Sequence, residues 1–107
     1  MQERSCRLGM PGCLGVAHTG HHLVPRGGPH YGDDVPANII PTCGCGTTGC
    51  HGLIEGYDVE ARAKLARSLT PEEWSYLVSK MGGKQAATEW LARTHFVSRG
   101  EIRDLYH

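Results

Sequence analysis

Five cysteines fall within the first fifty residues of this 107-residue chain, and none after them. Cys6 and Cys13 are separated by six residues, as are Cys43 and Cys50, with glycines inside both intervals that let the backbone turn sharply. Two such hooks brought together make a four-sulfur site, and four thiolates in a closed tetrahedron favour zinc. Cys45 is the odd one out: it either replaces Cys43 as a ligand, with a four-residue hook, or is a free thiol. The N-terminal stretch MQERSCRLGMPGC lacks the apolar core of a signal peptide, and no apolar run is long enough to span a bilayer. The expectation is therefore a cytoplasmic protein without membrane contact. Its thiols would be reduced, which favours metal coordination over a disulfide framework.

The composition changes near Tyr57. Residues 1 to 56 hold all five cysteines, twelve of the fifteen glycines and five of the six prolines. That half reads as loops and short strands with little apolar surface to bury, so a structural metal is the reasonable source of its missing stability. Residues 57 to 107 are rich in helix formers, and DVEARAKLARSLTPEEWSYLVSKM and GKQAATEWLARTHF carry apolar residues at helical spacing. Three or four helices are expected there, as a C-terminal extension packed on or appended to the first half. Thr70-Pro71-Glu72-Glu73 is a capping box with proline at the first helical position, Gly82-Gly83 stops that helix, and Ser98 to Glu101 forms a weaker start signal.

In the first half, HHLVP is a strand candidate ended by Pro25, and NIIPT is a second that Pro41 confines to an edge. Arg26 to Ala37 form a long turn between them, and CHGLIEG reads as a short helix. The fold class is thus α+β, in the order strand, loop, strand, helix, then the helical extension.

Adjacent strand residues face opposite ways, so His21 and His22 are expected to have different jobs. His51 follows a hook cysteine at the start of a helix, and Glu55 lies four residues on, over the same helical face. A strand histidine, a helix histidine and a carboxylate make an open site for a divalent cation, with the neighbouring histidine left as a base. An ordinary imidazole, with a pKa of about 6.5, is largely neutral near pH 7 and can take a proton from water.

The arrangement HH, RGG, NII and C-x6-C-H-G, running from Cys6 to Glu55, resembles the HNH endonucleases, and especially the small HNH proteins of bacteriophages and prophages. The resemblance implies a fold of two strands and a metal-bearing helix, the ββα-metal core, here stapled by zinc on Cys6, Cys13, Cys43 and Cys50. It implies metal-dependent cleavage of DNA phosphodiester bonds. His21 then takes the place of the first metal ligand and His22 that of the general base. Asn38 is the middle residue that braces the loop, and His51 is the final metal-binding histidine. Glu55 stands where members often have a further histidine, and a carboxylate there suits magnesium or manganese, though nickel or zinc could also serve. Arg26, followed by two glycines, is either a phosphate contact or a solvated loop cation.

Charge restrains the expectation. The chain has 11 Lys+Arg against 11 Asp+Glu, so few phosphate contacts are available and any binding to DNA should be weak and salt-sensitive. Either the enzyme nicks with little sequence preference, or a partner such as the phage packaging machinery delivers its DNA. The helical aromatics Trp74, Tyr76 and Trp90 would then be core residues or a docking surface. The alternative to an enzyme is a zinc-stapled binding module for nucleic acid or protein, without catalysis. Redox sensing through Cys43 and Cys45 finds no βαβ pattern to support it.

Overall fold

The computed structural model describes residues 5 to 107, so Met1 to Arg4, part of the stretch read above for a leader, lie outside the described residues. The structure is α+β. Strand β1 (Thr19–His22) pairs antiparallel with β2 (Ile39–Thr42), in a register that sets His21 against Ile40 and His22 against Ile39. Helix α1 (Gly49–Glu55) follows, and then come α2 (Val59–Ala66), α3 (Pro71–Met81), α4 (Lys84–His95) and α5 (Arg99–Tyr106).

Both strands are shorter than HHLVP and NIIPT suggest. β1 stops at His22 because the backbone of Val24 finds a side chain in place of a strand partner: its N–H donates to Asn38 Oδ1 at 2.8 Å and its carbonyl accepts from Asn38 Nδ2 at 3.1 Å. Asn38 belongs to a 3-10 turn, Pro36–Asn38, that precedes β2. Pro41 lies on an edge as expected, and the Arg7 N–H covers that edge by donating to the Pro41 carbonyl at 2.9 Å.

The helix signals act as read. The Thr70 hydroxyl accepts from the Glu73 N–H at 3.2 Å, and the Glu73 carboxylate returns the bond to the Thr70 N–H at 2.9 Å. Gly82 ends α3 in the left-handed conformation, at φ 89°, which costs glycine little. Ser98 caps α5 through the Glu101 N–H, and Asp58 caps α2 through that of Ala61.

One hydrophobic cluster serves both halves of the chain. Leu23 and Val24 just after β1, Ile40 of β2 and Ile54 of α1 are enclosed together with Leu65, Leu77, Leu91 and Ile102 from the later helices. The cysteine-rich segment is tied to α3 as well, because Arg7 forms a two-pronged bond with the buried carboxylate of Glu73, at 2.8 and 3.0 Å. Trp74 and Trp90 are buried, the former stacked on Tyr106 with 4.9 Å between ring centroids. Both are therefore core residues, and Tyr76 spends its hydroxyl on Asp33. No helix of the described residues is long and apolar enough to cross a membrane.

Candidate metal and catalytic centre

The two cysteine hooks meet. Ligand atoms of Cys6, Cys13, Cys43 and Cys50 all lie within 4.8 Å of one another, so this set could hold a metal ion such as zinc. The Cys13 and Cys43 sulfurs are 3.8 Å apart. That equals the edge of roughly 3.8 Å that a tetrahedron of sulfurs about 2.3 Å from a zinc ion would have. Backbone N–H groups point at the sulfurs, from Cys43 to Cys6, Cys50 to Cys43 and Gly15 to Cys13. These donors favour thiolate over thiol. Burial works against ionisation of Cys43, but the amide donors outweigh it and lower its pKa to about 6. Burial, together with the neighbouring sulfurs, pushes Cys50 up to about 12. A thiolate at Cys50 near neutral pH thus needs a cation among the sulfurs. Cys45 lies outside the cluster, exposed and hydrogen-bonded to Thr47 and Thr48.

A second cluster begins one residue later. His21 Nδ1 and His51 Nε2 each lie 3.2 Å from Glu55 Oε1, and the three ligand atoms lie within 4.8 Å of one another. His51 is carried there by α1, whose first turn contains Cys50. Its Nδ1 lies 2.7 Å from the Thr19 hydroxyl, which also lies 3.2 Å from the Gly44 carbonyl, so Nε2 is the ring nitrogen turned toward Glu55. His21 is buried, and burial lowers its pKa to about 4, with His51 adding to the fall and Glu55 opposing it. It is a neutral imidazole near pH 7, as a metal ligand must be. Glu55 is half exposed and keeps the cluster open to solvent.

His22, on the other face of β1, makes a different contact. Its Nε2 lies 2.6 Å from Asp34 Oδ1; the carboxylate accepts, so Nε2 carries the hydrogen and Nδ1 the lone pair. Asn38, fully buried, gives a third bond from Nδ2 to the Asp33 carbonyl at 2.9 Å, next to Asp34. One amide thus fixes both the chain leaving His22 and the loop carrying its partner. Gly32 packs into that knot so tightly that a Cβ there would stand 1.8 Å from the Val24 carbonyl oxygen. Arg26 is exposed at the mouth of this loop, with its Nε 3.4 Å from Asp34 Oδ1.

His21, His22, Arg26, His51 and Glu55 border one cavity of about 440 Å³. Arg62, Trp90 and His95, from α2 and α4, line the same cavity. Sequence reasoning missed Thr19, Asp34, Arg62 and His95. Asp34 sits in a glycine- and proline-rich turn where aspartate is ordinary. Arg62 and His95 have no local signal, since only the packing of α2 and α4 turns them inward. No protein-family model matches the chain, and no curated protein or solved structure shows significant similarity to it.

Proposed function

We propose that this chain is a metal-dependent endonuclease of the HNH type that hydrolyses phosphodiester bonds in DNA, nicking with little sequence preference. The observation that carries the reading is a three-donor cluster, His21, His51 and Glu55, bordering the same cavity as His22, whose Nδ1 has no hydrogen-bond partner among the described residues. The order of β1, β2 and α1, with the donors on β1 and α1, supports a ββα-metal core. A divalent cation on these three residues, magnesium, manganese, nickel or zinc, would supply positive charge against the phosphate and the departing 3′ oxygen.

The remaining chemistry belongs to the protein. His22 Nδ1 takes the proton of the attacking water, and Asp34 steadies the imidazolium that results. Asn38 and Gly32 keep the loop that carries Asp34 in place. Arg26, beside Asp34 at the cavity, is positioned to exchange that partner for a phosphate oxygen of the strand. With a formal charge of zero, the chain has little electrostatic hold on DNA of its own. A partner that presents the DNA, such as phage packaging proteins, fits this economy of charge.

The test is nicking of supercoiled plasmid by wild type, His22→Ala and His51→Ala across a panel of divalent metals, with folding followed by circular dichroism. Loss of the base should lower turnover by about 10²-fold or more while DNA binding persists. His51→Ala should regain activity at raised metal concentration, and His22→Ala should not. Nicking by folded His22→Ala at the wild-type rate would remove His22 as the base. Absence of metal-dependent nicking in every preparation would leave the zinc-stapled binding module as the better account.

A further inference from the structure

Two side chains in the cavity have bonding capacity that the fold does not use. Arg62 is buried, yet no carboxylate is paired with it among the described residues. Its Nε donates to the Ile54 carbonyl at 3.0 Å and Nη1 to the Thr94 carbonyl at 2.9 Å. These are carbonyls in the last turns of α1 and α4, where helices have acceptors to spare. Two of its five N–H groups are thereby committed, and Nη2 makes no bond among the described residues. The guanidinium also lies over the Tyr57 ring, 3.8 Å from its centroid. Tyr57 holds that ring in place with a left-handed backbone, φ 60°, uncommon for a bulky residue.

His95 is the second. It is 1% exposed, and its Nε2 is buried without a hydrogen-bond partner. The Thr94 hydroxyl donates to the Trp90 carbonyl at 2.8 Å and so accepts from His95 Nδ1–H at 2.7 Å. Nε2 is consequently a lone-pair acceptor. Burial, followed by repulsion from Arg62 and His21, lowers the His95 pKa to about 3 and keeps the ring neutral. Arg62 has a structural duty at two helix ends, but the bare nitrogen of His95 has none. Buried polar atoms left unpaired in a fold call for an explanation, and a ligand is one.

We propose that this cavity binds one nucleotide unit of the DNA strand next to the scissile bond, with its phosphate on Arg62 and an amine or ring N–H of its base donating to His95. Three features of the cavity fit that ligand together. A forked cation suits phosphate oxygens, a neutral acceptor suits an exocyclic amine or ring N–H of a base, and the aromatic side chains of Tyr57 and Trp90 are among those that line the cavity. At about 440 Å³ the cavity falls within the size range of small-molecule sites, roughly 300–1,000 Å³. The inference rests on the nuclease reading for its strand, but its contacts are independent of the metal.

The experiment is calorimetric titration of the full chain, without added divalent cation, with inorganic phosphate, deoxyadenosine, deoxyadenosine 5′-monophosphate and a short single-stranded phosphorothioate oligonucleotide. The nucleotide should bind at least about tenfold more tightly than phosphate or the nucleoside, and the oligonucleotide should compete with it. Arg62→Lys should weaken nucleotide and phosphate alike. His95→Leu should weaken the nucleotide by about tenfold and leave phosphate unchanged. Equal affinity for phosphate and nucleotide, or wild-type nucleotide affinity in folded His95→Leu, overturns the proposal even if Arg62→Lys fails to fold. Nucleotide binding without competition by the oligonucleotide overturns the strand-bound form in favour of a free-nucleotide site. Plasmid nicking separates the two readings: nucleotide binding without nicking defeats the hydrolytic one alone, whereas nicking without nucleotide binding defeats this one.

Discussion

Replacing Asn38 by alanine tests whether one buried amide holds the candidate base and its partner in place. The substitution removes the acceptor for the Val24 N–H and the donors for the Val24 and Asp33 carbonyls, at 2.8, 3.1 and 2.9 Å respectively. Val24 is fully enclosed, so water cannot replace the lost partners on its N–H and carbonyl. Each buried group left unpaired costs about 1–3 kcal/mol, whereas the Asp33 carbonyl, on an exposed residue, can be rehydrated at little cost. The sum is about 2–6 kcal/mol, a large share of the ~5–15 kcal/mol by which small domains are stable. Asn38→Asp should be no milder, because it keeps the acceptor for Val24 but sets a carboxylate oxygen against two carbonyls. Urea unfolding followed by circular dichroism at matched zinc content reads the loss as a fall in midpoint at constant slope. In whatever fraction remains folded, nicking should fall further than stability explains, since both His22 and Asp34 lose their brace. If both variants lie within about 1 kcal/mol of wild type, the amide is not the keystone of the loop, and the cost assigned to unpaired groups is wrong here.

Two further outcomes follow from the titrating groups. Cys45, whose pKa the threonine contacts lower to about 7, should be the thiol modified first by an alkylating reagent near neutral pH in zinc-loaded protein. Cys45→Ser should keep the zinc that Cys50→Ser loses, as elemental analysis would report, and equal zinc retention by both would displace Cys50 as a ligand. Stability should decline as pH falls from about 6.5 toward 3, because the unfolded chain then binds a proton that folded His95, with its pKa lowered to about 3, refuses. The slope from this residue is about 1.4 kcal/mol per pH unit, and His95→Leu should flatten the profile by one proton. An unchanged slope in that variant would mean that His95 is protonated in the folded protein.

The parts of this fold legible in the sequence are those fixed by local chemistry. The capping box at Thr70 and Glu73, the glycine stop at Gly82 and the helix opened by the Cys50 hook need only neighbours in the chain. The cysteine spacing likewise brought the right four sulfurs together. Strand length was misjudged because Val24 continues the apolar pattern while its backbone bonds go to a side chain fourteen residues on. The same kind of distance hid Asp34, Arg62 and His95. Each is an ordinary residue for its local setting, and each gains its role from a partner that only tertiary packing supplies. The choice between Cys43 and Cys45 was open for a related reason, since both spacings allow a hook and only the loop's path decides which sulfur turns inward.

Cys50 and His51 are joined by a single peptide unit, whose Cα atoms are held about 3.8 Å apart. Seen as a problem of tolerances, this short link gives the four-sulfur cluster and the cluster of His21, His51 and Glu55 one common datum. Error in the position of the sulfur cluster passes to the imidazole with almost no slack, whereas a longer connection would let the second cluster find its own geometry. The chain therefore gains accuracy at the second site without a large core around it, and in exchange surrenders independence. Oxidation of the thiols, or any other disturbance of the sulfur cluster, would shift the second cluster without touching any of its donors.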